Sequence, residues 1–544
     1  MNRLPRRLTL GLAAAPLALL AIFYLWPVLT LVAHAVDADA VHDTLSSKRT
    51  WEVVWFTLWQ AVASTALTLL VGLTPAYVFS RYRFPGRTLL LGLMTAMFVL
   101  PTVVMGAAIL AVAPGSIDHT VWAVLIAHVI FNLAVVVRVV GAMWERLPRD
   151  MEAAAATLGA SRADVFRHVT LAQLRPAILG AASIVFVFTF TSYGVIRIVA
   201  APGTRTIEVE VWRNATQLGR LGNAAVLALV QLAILAAAVT WATRRQRTAS
   251  RAIALDDAAR RDHPRTARQR RFVATVAAAT AALLIAPLAA LVWRSVRTST
   301  GWTTSAWTHL GRLEVRPGIS LGIDPAAAIR VSLTTAAVAT MIAVVVGAVA
   351  SLAIAASGRA GRLLDTGSTL PIATSAVTIG FGMLITFGTD PVDWRGSWWL
   401  VPVGQALVAL PFVIRNCVSV LRAVDPALTD AAATLGASPA RAWWEIVVPN
   451  LWRPLAGGAA LAAAISLGEF GATSLLSRSG NETMPIVIEQ LLGRTGSILQ
   501  AQGYVLATML AAITILLVAL VELATGDAFG TDRARMDRRR KDGR

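Results

Sequence analysis

The sequence predicts an all-α polytopic membrane protein of about twelve transmembrane helices, arranged as two parallel six-helix repeats. Three observations carry this prediction. The chain is 56% hydrophobic over 544 residues, with a mean hydropathy of +0.65, too apolar for a water-soluble core alone. A hydrocarbon layer about 30 Å thick takes roughly 20 apolar residues per helical span, and about a dozen such stretches follow one another. Finally, Ala156-Thr157-Leu158-Gly159-Ala160-Ser161 returns as Ala433-Thr434-Leu435-Gly436-Ala437-Ser438, 277 positions later (436 − 159). Alternation with period 2 is absent. Backbone groups in lipid must be satisfied internally, so helices are expected rather than a barrel.

The spans are expected near 9–33, 53–79, 88–112, 120–142, 178–200, 223–243, 272–293, 328–356, 368–388, 398–420, 457–477 and 502–523. Arg3, Arg6 and Arg7 before the first apolar run resemble a signal peptide, and Ala33-His34-Ala35 mimics a cleavage site. The run from about Leu8 to Val32 exceeds the usual 7 to 15 residues of a signal core, so an uncleaved first span is expected.

A formal net charge of +19 raises the question of nucleic acid. The cations instead gather between spans: Arg81, Arg83 and Arg87; Arg146 and Arg149; ten arginines from Arg244 to Arg271; seven cations from Arg533 to Arg544. Such clusters mark cytoplasmic loops. With a cytoplasmic start, alternation puts all of them on one side and both termini in the cytoplasm; no nucleic-acid partner is expected. The lone Cys417 excludes an intrachain disulfide, and neither a metal site nor a cofactor is expected.

The halves agree beyond the opening repeat. Gly72, Gly86 and Arg87 match Gly347, Gly361 and Arg362 at an offset of 275; Arg138, Tyr193-Gly194 and Thr206 match Arg415, Phe470-Gly471 and Thr483 at 277. An offset this steady indicates duplication and fusion of a six-span unit. An even number of spans gives both halves one orientation. Residues 1–243 are expected to form the first half and 272–523 the second; 244–271 form an Arg-rich cytoplasmic linker, a solvated tether, and 524–544 a basic tail.

Each repeated segment lies in a cytoplasmic loop, near 145–177 and near 422–455. Asp150 or Ser161 can start a helix by accepting bonds from free N–H groups. Met151–Leu158 holds good helix formers, Gly159 can terminate it, and a second short helix runs from Ser161 toward His168, ending before Pro176. Thr429–Gly436 and Ser438–Val447 follow the same logic. Small side chains on these helices permit close approach by a partner, and two copies suggest two docking surfaces.

These segments resemble the cytoplasmic EAA loop of permease subunits in binding-protein-dependent ABC importers, where Glu-Ala-Ala precedes a Gly six residues after the Glu. Six before Gly436 stands Asp430, followed by Ala431-Ala432; six before Gly159 stands Ala153, with the acid one place early at Glu152. The resemblance spans both halves and implies a type I importer permease in the inner membrane of a prokaryote. It further implies two copies of an ABC ATPase subunit inside, contacted through Glu152, Gly159, Phe166, Asp430, Gly436 and Trp443, and an extracytoplasmic substrate-binding protein. The chain itself is expected to be no enzyme. A P-loop needs Gly-Lys-Ser/Thr, and neither Lys48 nor Lys541, the two lysines present, follows a glycine. ATP hydrolysis must then be supplied in trans.

Ionisable residues within spans are functional candidates because burying them uncompensated is costly. Glu469 lies deep in the eleventh span, opposite Ser192 in the repeat, and suits either a cationic substrate or an Arg across the interface. His128 and Asn132, one turn apart, bond across helices or line the path; Tyr193 is a further path candidate. Thr206-Ile207-Glu208 and Thr483-Met484-Pro485 begin re-entrant or surface helices on the outer side. Similar outer segments occur in fused permeases for thiamine and ferric iron, and Leu125 to Asn132 with Phe84-Pro85-Gly86-Arg87 look nearest the thiamine type. The expected cargo is a small solute of the thiamine type, with ferric iron next and polyamines or oxyanions behind. The reading from another class is an ion-gradient-driven secondary carrier, which accounts for the duplication but not for the paired loops.

Overall fold

Apolar runs become long helices wherever no proline corner or glycine break intervenes. The computed structural model describes residues 6–113, 115, 117–249, 261–298, 301–311, 314–316, 319–320, 322–389 and 392–525; the basic tail from 526 and the centre of the linker, 250–260, lie outside them. Among the described residues nine helices are long and apolar enough to cross a membrane: Gly11–Ala35, Lys48–Arg81, Val121–Arg146, Arg162–Phe190, Leu221–Gln246, Ala267–Val296, Pro325–Ala356, Leu400–Ala423 and Ser497–Val521.

The expected straight spans 88–112 and 368–388 are corrected to bent pairs. Arg87–Val99 meets Thr102–Val112 at 110°, and Leu364–Pro371 meets Ala376–Thr386 at 93°. Pro101 makes the first corner, since its ring lacks an N–H and holds Leu100 out of the helical region. Ser375 makes the second by accepting from the N–H groups of Val377 and Thr378. The first pair still crosses the bundle. It starts where Arg87 Nε donates to Phe79 O (2.8 Å) and ends where Ala111 O accepts from Arg294 Nε (3.4 Å).

Spans 178–200 and 457–477 are also interrupted, and at matching places. Arg162–Phe190 is followed by a short helix Gly194–Val199, and Trp452–Gly468 by Thr473–Leu476. Glycine is needed beside both breaks: a Cβ on Gly194 would collide with Thr102, and one on Gly468 would lie 2.9 Å from Pro101. The bent pair of the first half therefore touches the broken span of each half.

Duplication is visible in bonds as well as in sequence. A Cβ on Gly72 would lie 2.8 Å from Val136, and one on Gly347 2.8 Å from Val413. Ile207 N donates to Thr57 Oγ1 (3.0 Å), and its repeat mate Met484 N to Ser332 Oγ (2.7 Å). Both helices that follow, Ile207–Thr216 and Met484–Leu492, bury most of their apolar residues against the bundle.

The halves are interlocked. The first helix packs into the second half: Tyr24 Oη shares a hydrogen bond with Thr374 Oγ1 (2.6 Å), and the Phe23 and Trp26 rings lie 5.5 and 5.7 Å from Phe387. Reciprocally, Ala267–Val296 reaches the first half, with Phe272 6.5 Å from Tyr77 and Leu284 and Leu291 in a core that both halves share. Apolar burial across this exchange ties the halves together at about 25 cal/mol per Å².

The linker is not a free tether along its described length. Arg83 N donates to Asp262 O (2.9 Å), Asp262 N to Arg81 O (3.0 Å), and Arg261 pairs with Glu145. A capping box of Thr266 and Gln269 then starts the next helix.

Candidate functional site

The repeated segments fold as twins. Arg149–Thr157 and Pro426–Thr434 are nine-residue helices, each closed by a glycine in the left-handed region: Gly159 at φ +88° and Gly436 at φ +84°. Each end carries the same double closure. Gly159 N donates to Ala156 O and Ala160 N to Ala155 O (both 3.1 Å); Gly436 N donates to Ala433 O and Ala437 N to Ala432 O (both 3.0 Å). This Schellman arrangement satisfies the last carbonyls and needs a residue without a Cβ penalty. Asp425 caps the second helix through Ala427 N (2.9 Å), whereas the first begins after Pro148, so Asp150 is not its cap.

The residue before each glycine projects outward. Leu158 and Leu435, repeat mates, are each 88% exposed. Two large apolar side chains held in water at matched positions call for a partner surface. Sequence reasoning passed over them, because a leucine in an apolar chain gives no signal until its exposure is known.

After the turn, Ser161 caps the next segment through Asp164 N (3.2 Å), as expected. That segment does not stop before Pro176. A π-turn at Val165–Thr170 feeds directly into Leu171–Phe190, and the second loop does the same through Trp443–Val447. Arg441 Nε donates to Glu445 (2.8 Å) one turn on, and that contact raises the pKa of the guanidinium.

The expected docking residues fall in different settings. Phe166 is exposed, with its ring 6.4 Å from Trp144. Trp443 is only 7% exposed and packs in a core with Val447 and Leu451, while its neighbour Trp444 is 71% exposed. Asp430 is exposed. Glu152 accepts from Arg81 and from Thr170 Oγ1 (both 2.9 Å), so it ties its helix to the end of Lys48–Arg81.

At the opposite end the two broken spans meet ring to ring. Tyr193 and Phe470, repeat mates, lie with centroids 5.0 Å apart. Behind Tyr193, His128 is wedged between Ser64 (Nδ1, 2.9 Å) and Ser192 (Nε2, 2.8 Å), and Asn132 Nδ2 donates to His128 O (2.9 Å). His128 holds the break in place through Ser192, while Asn132 bonds within its own helix. Glu469 does likewise in the second half. It accepts from Ala472 N (2.7 Å), Thr473 N (2.8 Å) and Thr473 Oγ1, capping the short helix. Among the described residues it makes no ion pair, so the expected Arg partner is not found.

Charges that sequence reasoning missed lie beside this contact. Arg197 pairs with Glu489 across the halves, and Glu208 accepts from Gln231 Nε2 (2.8 Å). Only Arg197 carried the signal that singled out Glu469, an ionisable residue inside an expected span; Glu208 and Glu489 lie outside the expected spans.

A multi-pass helical bundle with duplicated halves, twinned glycine-closed loops at one end and an aromatic contact between the halves at the other has the architecture of a membrane permease. The chain belongs to the family of binding-protein-dependent transport system inner membrane components, whose profile matches residues 68–248 and 339–526. It is a permease subunit of an ABC importer, a transport component rather than an enzyme. The thiamine transport system permease protein ThiP of Salmonella typhimurium is 25% identical over 508 residues, covering 89% of this chain and 90% of that protein. ThiP of Brucella abortus is 26% identical over 477 residues, 84% of each. The putative 2-aminoethylphosphonate transport system permease protein PhnV of Salmonella typhimurium is 31% identical over 196 residues, 36% of this chain and 73% of that protein. A chain of a bacterial alginate ABC transporter, solved with an alginate pentasaccharide-bound periplasmic protein, aligns with a TM-score of 0.38 and 15% identity over 44% of this chain and 93% of its own.

Proposed function

We propose that this permease imports thiamine or a closely similar ring cation, delivered outside by a binding protein and driven by two ATPase subunits docked inside. The substrate reading is supported by two-half relatives named for thiamine that align over most of the chain. The single observation that carries the coupling is the matched exposure of Leu158 and Leu435 on glycine-closed helices. Leu158 inserts into one ATPase subunit with Phe166 in the same loop, and Leu435 into the other with Asp430 and Trp444 in its loop. The basic clusters and these loops are cytoplasmic, as are both termini.

Movement at a loop has a direct route to the opposite end. Arg162–Phe190 is a helix of 29 residues, about 43 Å long at 1.5 Å per residue. It links the turn at Gly159 to the break beside Tyr193. ATP-driven closure of the ATPase pair draws the loops together, parts Tyr193 from Phe470 and opens the path outward; hydrolysis resets it.

The similarity of one half to PhnV makes 2-aminoethylphosphonate the competing cargo. Uptake of each radiolabelled solute into proteoliposomes holding permease, ATPase and binding protein decides between them. Thiamine accumulation that needs ATP supports the reading. Accumulation that persists without ATP and stops when the proton gradient is collapsed rejects it in favour of a secondary carrier.

A further inference from the structure

Beyond the Tyr193–Phe470 contact, a cavity of about 300 Å³ opens between the halves. Its wall is built unequally. Trp212 comes from Ile207–Thr216 and Glu489 from Met484–Leu492, and they are repeat mates at the offset of 277 (489 − 212). One half thus supplies an aromatic face and the other a carboxylate, at the same place about the axis. Tyr193 extends the aromatic surface, its ring centroid 6.4 Å from Trp212.

A cation already sits between them. The Arg197 guanidinium lies 4.3 Å from the Trp212 ring centroid and pairs with Glu489. A flat, delocalised cation over an aromatic face with a carboxylate at its edge is a favourable combination away from water. Yet the fit is incomplete: Arg197 Nε and Trp212 Nε1 are both buried without a hydrogen-bond partner. Unmet buried donors weaken an arrangement, so Arg197 loses little when it leaves this position, and its Nε–H can then find a partner.

We infer that Trp212 and Glu489 form a receiving site for an organic cation with a planar ring, and that Arg197 occupies it as an internal stand-in until such a cation displaces it. This rests on the ring-cation reading above and deepens it. The volume suits one small ligand. Arg478 and Glu482 also line the cavity and offset one another, which leaves Glu489 to attract the ligand once Arg197 swings away, and a delocalised ring cation gains from Trp212 what a compact inorganic ion does not.

Kinetics separate a receiving site from a plain brace, because the two predict different signs. The full permease, assembled with its ATPase and binding protein, is assayed for the KM of thiamine uptake and for equilibrium binding of N-methylpyridinium and of 2-aminoethylphosphonate. Glu489→Gln and Trp212→Leu should each raise the thiamine KM at least tenfold and weaken N-methylpyridinium binding alike. Arg197→Gln should act oppositely, lowering KM and tightening binding severalfold. Arg197→Lys, a milder change, should follow it by a smaller factor, and Glu489→Asp should stay near wild type. A brace would make Arg197→Gln and Glu489→Gln change KM in the same direction, and that result overturns the site while leaving thiamine transport standing. N-methylpyridinium binding with the opposed signs, in a wild type that moves no thiamine, upholds the site and rejects thiamine. Binding of 2-aminoethylphosphonate alone rejects both.

Discussion

Arg81 donates to Glu152 at 2.9 Å, and the repeat counterparts of this pair are Ala356 and Thr429. The first docking helix is therefore tied by charge to the end of its transmembrane helix, and the linker bonds to that same Arg81 through Asp262. The second helix has no equivalent ion pair to make. With Arg81 nearly buried, Glu152→Gln or Arg81→Ala should cost about 1–3 kcal/mol. The melting temperature of the purified permease reports this, and Thr429→Ala should lower it by less.

The exposed leucines give the sharpest test of docking. Burying one leucine contributes about 2 kcal/mol, so Leu158→Asp or Leu435→Asp should weaken ATPase binding by roughly 30-fold each. Titration of labelled ATPase onto permease in nanodiscs measures it. Both variants should melt like wild type, since neither side chain is packed within the permease.

The glycine closures make a separate prediction. At φ near +88° and +84° an alanine is strained by roughly 1–2 kcal/mol. Gly159→Ala and Gly436→Ala should therefore loosen the turn and lower ATP-coupled uptake. Asparagine tolerates the left-handed region, so Gly159→Asn should retain more uptake than Gly159→Ala; equal loss in both would show that backbone conformation is not the cause.

The aromatic contact is expected to seal the path. A cysteine placed at Ser474, beside the cavity, should react slowly with a membrane-impermeant thiol reagent in the resting transporter. Tyr193→Ala or Phe470→Ala should speed labelling severalfold. Cys417 is buried and makes a quiet background. Unchanged labelling would place the seal elsewhere.

Much of this was legible in the chain. Nine of the twelve expected crossings among the described residues, the duplication and the twin loops follow from hydropathy, a steady offset and a glycine whose role is local. What was not legible depends on contacts distant in sequence. No periodicity distinguishes a straight span from one that turns 110° at Pro101, because a proline can either kink a helix or end it. The exchange of first helices between halves is invisible to a linear division at 243 and 272. Trp443 and Trp444 are adjacent and alike, and only packing determines which is buried. Glu469 looked like a charge in need of a partner, yet its partners are backbone N–H groups created by its own helix break.

If two ATPase subunits drive this permease through Leu158 and Leu435, ATP-dependent uptake by proteoliposomes carrying the Leu158→Asp/Leu435→Asp double variant, with ATPase and binding protein present, should fall to background while the variant keeps its wild-type melting temperature. Uptake at the wild-type rate would show that the leucines do not carry the drive.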